Sequence, residues 1–128
     1  MKLLLDTHAF LWWITGSEHL SEPARAAIAD GANEVYFSAA SGWELAIKAS
    51  LGRVVLPDAL EEFMSEQLAT NGFDVLPIHL RHALGVRGLP DLHRDPFDRI
   101  LIAQAIAEGM SLVSGDPRIT QYRADVLW

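Results

Sequence analysis

The chain contains no cysteine, which excludes disulfides, thiolate nucleophiles and thiolate-held metals. Basic residues are scarce as well: 10 Lys and Arg stand against 17 Asp and Glu, giving a formal charge of −7. Affinity for phosphate backbones comes largely from Lys and Arg, so this balance argues against a protein that coats nucleic acid indiscriminately. It leaves room for an enzyme that holds nucleic acid locally through metal ions and a few arginines, and it favours a basic partner. Long hydrophobic runs are also missing. Asp6 interrupts the N-terminal run Met1-Lys2-Leu3-Leu4-Leu5, which is too short for a signal peptide. No stretch approaches the roughly 18–20 apolar residues that a membrane span needs. A soluble, cytoplasmic protein without a membrane partner is the expectation.

Half of the residues are hydrophobic and 128 residues suffice for a real core, so one domain spanning residues 1–128 is expected. Short apolar runs alternate with segments of 3.6-residue period, the signature of an α/β protein with a parallel sheet. Leu3–Leu5, Glu34–Phe37, Phe73–Ile78 and Met110–Val113 read as strands, with a weaker one at Ala124–Trp128. Helices are expected from Thr7, whose hydroxyl can cap it, to Gly16, and from Ser21 to Gly31. Others should run from Ser38 or Ser41 to Gly52, from Pro57 and Asp58 to Asn71-Gly72, and around Leu80–Leu84. A further helix opens at Asp95-Pro96 and stops at Gly109. Arg87–Arg94 reads as a loop.

Four carboxylates far apart in the chain fall where such a fold aims them at one place. Asp6 ends the first strand, Asp116 follows the strand Met110–Val113, Glu44 lies on a helix, and Asp98 lies near the head of another. Ligands of open α/β sheets bind beyond the carboxyl ends of the strands, so Asp6 and Asp116 face a shared crevice. Each acid also has a bland reading. Asp6 and Asp116 suit Asx turns, Glu44 sits four residues before Lys48 as in a helical salt bridge, and Asp95 is a helix cap beside Pro96. Asp98 cannot also be the cap, which makes it the functional member of that pair, with Asp95 as helper. Clustered carboxylates with little basic compensation repel one another unless a cation joins them, and a hard divalent ion with oxygen ligands is the natural one. The combination outlines a metal-dependent site that cleaves phosphodiesters.

Other residues carry less. Lys48, Arg94, Arg99 and Arg118 are the basic candidates for phosphate contact, against a default of solvated surface charge. Among the five histidines, His8 and His93 flank the acidic motifs, but no pair has metal-ligand spacing. Trp12 and Trp13 sit on an amphipathic helix, where core or dimer contact outweighs base stacking.

Four stretches carry a wider likeness: Leu3-Leu-Leu-Asp-Thr-His8, Ser41-Gly-Trp-Glu-Leu-Ala-Ile-Lys48, Asp95-Pro-Phe-Asp-Arg-Ile-Leu-Ile-Ala-Gln104 and Leu112-Val-Ser-Gly-Asp116. In this order, and across nearly the whole chain, they resemble the PIN-domain ribonucleases, and most closely the VapC-type toxins of bacterial toxin–antitoxin pairs. The resemblance implies a three-layer α/β/α fold with a central parallel sheet and an endoribonuclease that depends on Mg²⁺ or Mn²⁺. It maps the acidic site onto Asp6, Glu44, Asp98 and Asp116, with Asp6 and Asp98 on the metal. Thr7, Asp95 and Ser114 support them, and Lys48 and Arg99 are candidates for holding phosphate. Ser114 stands where many members carry Thr, which keeps the hydrogen-bonding oxygen. A homodimer, an RNA substrate and inhibition by a cognate antitoxin are implied too.

Two other classes compete. A receiver-like phosphoacceptor domain needs a second early acid and a late Lys, and no Lys follows Lys48. An inactive interaction module built on the PIN fold is the other, and retention of all four acids speaks against it.

Overall fold

A computed structural model describes residues 1–128. Five strands alternate with six helices: β1 (Lys2–Leu5), α1 (Thr7–Thr15), α2 (Glu22–Ala29), β2 (Glu34–Ser38), α3 (Ala39–Ser50), α4 (Leu60–Asn71), β3 (Asp74–Leu76), α5 (Leu80–Gly85), α6 (Pro96–Glu108), β4 (Ser111–Val113) and β5 (Val126–Leu127). A turn of 3₁₀ helix, Val86–Gly88, follows α5. All strand pairings are parallel, in the order β3-β2-β1-β4-β5.

The central strand β1 shows why the sheet is covered on both faces. Leu3, Leu4 and Leu5 are all fully buried, and because strand side chains alternate, they feed two separate cores. Leu3 and Leu5 join Phe10, Leu20, Ile28, Phe37 and Leu45 on one side. Leu4 joins Leu101, Ile102, Leu112, Ile119 and Tyr122 on the other. Helices α1, α2 and α3 therefore contribute to one core and α6 to the other, the three-layer α/β/α arrangement expected from the sequence. No helix is long and apolar enough to cross a membrane.

The register places three chain exits side by side. Leu5 is opposite Phe37 on β2 and Val113 on β4, and the Asp6 amide donates to the Val113 carbonyl at 3.0 Å. Asp6, Ser38 and Ser114 thus leave the sheet at the same edge. The chain winds outward from β1 to β2 and β3 before crossing back to β4, so the crevice between β1 and β4 is the switch point of the topology. Buried polar contacts fix α6 against this edge: Ser38 Oγ donates to Gln104 Oε1 at 2.6 Å, and Gln104 Nε2 donates to the Pro77 carbonyl at 3.2 Å.

Three local expectations are corrected. Asp6, not Thr7, caps α1, since Asp6 Oδ1 accepts the Ala9 amide at 2.7 Å. The hydroxyl of Thr7 is taken up by tertiary contacts described below. Helix α4 starts at Leu60 rather than at Pro57-Asp58, and its start carries no side-chain cap. The third strand is Asp74–Leu76 rather than Phe73–Ile78, because Pro77 has no amide to donate to the ladder.

Candidate active site

The edge where β1 and β4 end opens into a cavity of about 130 Å³ with no hydrophobic residue in its lining. Asp6, Glu44, Asp95, Asp98 and Asp116 line it, with Lys48 and Arg118 as the charged opposites and Thr7 and His8 completing the wall. All four sequence-nominated acids therefore meet. Asp6 arrives from the end of β1, Glu44 from the buried side of α3, Asp98 from the first turn of α6 and Asp116 from the turn after β4. Five carboxylates face two cations, so the cavity keeps a net excess of negative charge.

The acids are not equivalent. Glu44 is buried, and both of its oxygens are satisfied within the protein. Thr7 Oγ1 donates to Oε1 at 2.6 Å, and Lys48 Nζ donates to Oε2 at 2.5 Å. Thr7 Oγ1 also lies 3.0 Å from Ser41 Oγ, so α1 and α3 are tied together beside the acid. The salt-bridge reading of Glu44 and its place in the site are both realised. Asp116 is paired with Arg118, whose Nη2 donates to Oδ2 at 2.8 Å and Nε to Oδ1 at 3.2 Å. That guanidinium holds the Asp116 carboxyl below its ordinary value.

Neither Asp6 nor Asp98 is paired with a lysine or an arginine. Burial raises the Asp6 carboxyl above its ordinary value, against the opposing hydrogen bonds of the Ser114 hydroxyl and the Ala9 amide. Burial also pushes Asp98 up to about 6, with the neighbouring Asp95 and Asp116 charges adding to the shift and the His93 hydrogen bond opposing it. Ser114 itself is fully buried and accepts the Asp116 amide at 3.2 Å, so one hydroxyl links the two strand-end acids. Asp95 behaves as a cap: its Oδ1 accepts the amides of Phe97 and Asp98 at 2.9 and 3.2 Å.

No group of three or more His, Asp or Glu side chains is gathered tightly enough to hold a metal ion alone. Mg²⁺ does not require such a cage, because it keeps several waters and is bound through one or two carboxylates. A wholly polar cavity with a buried Asp6 and a half-buried Asp98, neither paired with a lysine or arginine, fits that donor set.

The basic candidates divide. Lys48 and Arg118 reach the acidic cavity, whereas Arg94 and Arg99 do not. Those two line a separate, mostly apolar cavity of about 380 Å³ beside Trp43 and Phe97, which contains no carboxylate. The Arg99 guanidinium donates to backbone carbonyls and to Tyr122 Oη. His93 meets Asp98, as its flanking position allows. Tyr122 had no local signal, because its importance depends on a partner 29 residues away. Trp13 is a packing residue, with Nε1 donating to Asn71 at 2.9 Å and its ring against Phe73.

The sequence matches the model of the PIN domain over residues 3–125. It is 33% identical to Ribonuclease VapC22 of Mycobacterium tuberculosis (strain ATCC 25618 / H37Rv) over 121 residues, 94% of this chain and 92% of that protein. The crystal structure of VapBC2 from Rickettsia felis, bound to a promoter DNA fragment, matches with a TM-score of 0.73 at 13% identity, covering 98% of this chain and 97% of the other. A toxin–antitoxin complex from Klebsiella pneumoniae matches with a TM-score of 0.65 at 18% identity, covering 97% and 94%. At these identities the two structures speak to the shared fold.

Proposed function

The chain belongs to the PIN-domain family, and from that premise we propose that it is a metal-dependent endoribonuclease, the toxin of a cytoplasmic toxin–antitoxin pair. RNA cleavage is supported by the extent of the match to a VapC ribonuclease. The observation that carries the metal dependence is the pair Asp6 and Asp98: one buried and one half-buried carboxylate, neither paired with a lysine or arginine, facing one polar cavity.

Asp6 and Asp98 are the residues that would hold a divalent ion, Mg²⁺ or Mn²⁺. Such an ion would supply Lewis acidity, polarising the scissile phosphate and lowering the pKa of an attacking water. Glu44 is held by Thr7 and Lys48 at the wall of the cavity and adds negative charge there. Lys48 and Arg118 stand at the same cavity as cations for the RNA backbone, already drawn in by Glu44 and Asp116. Asp116 and Ser114 keep the β4 exit closed against Asp6. Asp95 keeps the first turn of α6, and with it Asp98, in place.

The toxin role brings a cognate antitoxin and a homodimer. Support comes from the antitoxin complexes among the structural matches and from large apolar side chains left exposed, among them Trp43, Leu51, Leu80 and Leu84. The acidic cavity suits a basic side chain supplied by the antitoxin.

Purified chain, incubated with RNA and Mn²⁺, should cleave internally and stop in excess EDTA. Wild-type cleavage that persists in EDTA, or an Asp98→Asn chain with full activity, refutes the metal mechanism. A chain that binds RNA or antitoxin but cleaves nothing under any divalent ion is the interaction module.

A further inference from the structure

Asp98 is held by side chains that lie outside the acidic cavity. His93 Nε2 lies 3.1 Å from Asp98 Oδ2, His93 Nδ1 lies 2.7 Å from Tyr122 Oη, and Arg99 Nη1 lies 3.0 Å from that same oxygen. The two ends of this chain fix the direction of its outer bonds. A guanidinium only donates, and an ionised carboxylate only accepts. Arg99 therefore donates to Tyr122 Oη, and His93 donates from Nε2 to Asp98. Between them, Tyr122 Oη and His93 Nδ1 share a hydrogen bond in which each group is able to donate or accept.

The arrangement is rigid. Tyr122 is buried in the core under α6, and the His93 side chain is only 8% exposed. The His93 and Tyr122 rings meet edge to face with centroids 5.4 Å apart, and the Arg99 guanidinium lies 6.0 Å from the Tyr122 centroid. Arg99 also donates to the carbonyls of Pro90, His93 and Val86, so it ties the loop that carries His93 to the helix that carries Asp98. The bond to His93 is the only side-chain hydrogen bond Asp98 makes, and its Oδ1 has no partner in the protein. The imidazole orients the Asp98 carboxylate through one hydrogen bond, whereas the Arg118 guanidinium pairs with Asp116 through two.

We propose that Arg99, Tyr122 and His93 form a positioning relay that presents the Asp98 carboxylate to the divalent ion. Ion affinity then depends on a tyrosine hydroxyl that does not line the cavity. The inference rests on the metal-dependent reading above. None of the three is a catalytic residue; they act through Asp98. Partners that orient a metal-ligating group typically govern metal affinity by about 10–100-fold.

The test is Mn²⁺ binding to the full chain without RNA, measured by isothermal titration calorimetry. Wild type is compared with Tyr122→Phe, His93→Gln and His93→Phe, and apo melting is recorded for each. Tyr122→Phe keeps the ring and the core, and should weaken Mn²⁺ binding about 10-fold while the chain stays folded. His93→Gln retains an N–H donor and should bind Mn²⁺ more tightly than His93→Phe. Equal affinity in wild type and Tyr122→Phe overturns the relay, and so does an identical loss in the Gln and Phe variants. Should His93→Phe fail to fold, wild type against Tyr122→Phe decides the matter alone. A wild-type chain that binds no Mn²⁺ removes the metal-dependent reading itself, a result distinct from loss of the relay.

Discussion

Within one cavity the protein treats two pairs of acids in opposite ways. Glu44 and Asp116 each carry a basic partner, Lys48 and Arg118. Asp6 and Asp98 have no lysine or arginine partner: a backbone amide and a serine hydroxyl serve one, an imidazole the other. Carboxylates withdrawn from solvent without such a partner are costly when ionised, and the upward shifts of buried Asp6 and half-buried Asp98 express that cost. On the proposed metal-dependent reading, the difference says where a divalent ion would belong. The acids paired with Lys48 and Arg118 hold the walls together, and the other two would leave a charge for the ion to satisfy.

Asp98→Asn attacks the uncompensated pair and should have the largest effect. Cleavage of a labelled RNA in saturating Mn²⁺ should fall to about one thousandth of wild type or less, the scale of several kcal/mol of lost metal-ion stabilisation. The apo variant should melt no lower than wild type above pH 6, because a buried charge has gone and His93 still has an oxygen to donate to. The matching change at the compensated pair, Asp116→Asn, should weaken Mn²⁺ binding less than Asp98→Asn does. A reversed order in calorimetry would break the comparison.

Metal itself is the next lever. An ion that binds only the native state should stabilise it by about 2.7 kcal/mol at one hundred times its dissociation constant. Urea unfolding with and without Mn²⁺ should show that gain in wild type and lose most of it in Asp98→Asn.

Gly115 tests how the rim acid is placed. A Cβ there would sit 2.5 Å from the Trp128 ring, so Gly115→Ala forces the terminal indole away from the turn that carries Asp116. The expected cost is about 1–3 kcal/mol in urea unfolding.

The pH dependence separates the pairs by sign. Asp98 rises from an ordinary 3.8 to about 6 in the fold. Its contribution to apo stability is therefore fully present below pH 3.8 and is lost as pH climbs through 6. The stability advantage of Asp98→Asn should accordingly grow between pH 4 and 6 and then level off. Asp116, held low by Arg118, contributes in the other direction, above its ordinary value, and loses that contribution in acid. Arg118→Gln should have the smallest effect, a melting temperature close to wild type, because the pair is solvent-exposed. In that variant the Asp116 carboxyl resonance should titrate at higher pH.

Much of this was legible in the residues. The stops at Gly16, Gly72 and Gly109 and the Asp95-Pro96 helix start come from short-range rules, and each appears in the structure. The four acids were legible because parallel connectivity sends consecutive strand ends to one edge. Thr7 was misjudged as a cap because two hydroxyl roles compete, and only the packing of α1 on α3 decides in favour of Glu44. The position of the Arg99 guanidinium was not legible, because adjacency to Asp98 says nothing about where a long side chain turns. Its carbonyl partners belong to the 86–93 loop, whose path is not written in any local pattern.

The sequence by itself determined the alternation of elements, the two-sided burial of β1 and the convergence of Asp6, Glu44, Asp98 and Asp116. Hydrophobic period and chain direction suffice for those. Only the tertiary structure decided which acids keep a cation and which do not, and that Asp98 is governed by Tyr122 from 24 positions downstream. Such contacts depend on distances of 3 Å between segments that approach only when both cores are packed. No spacing along the chain encodes them.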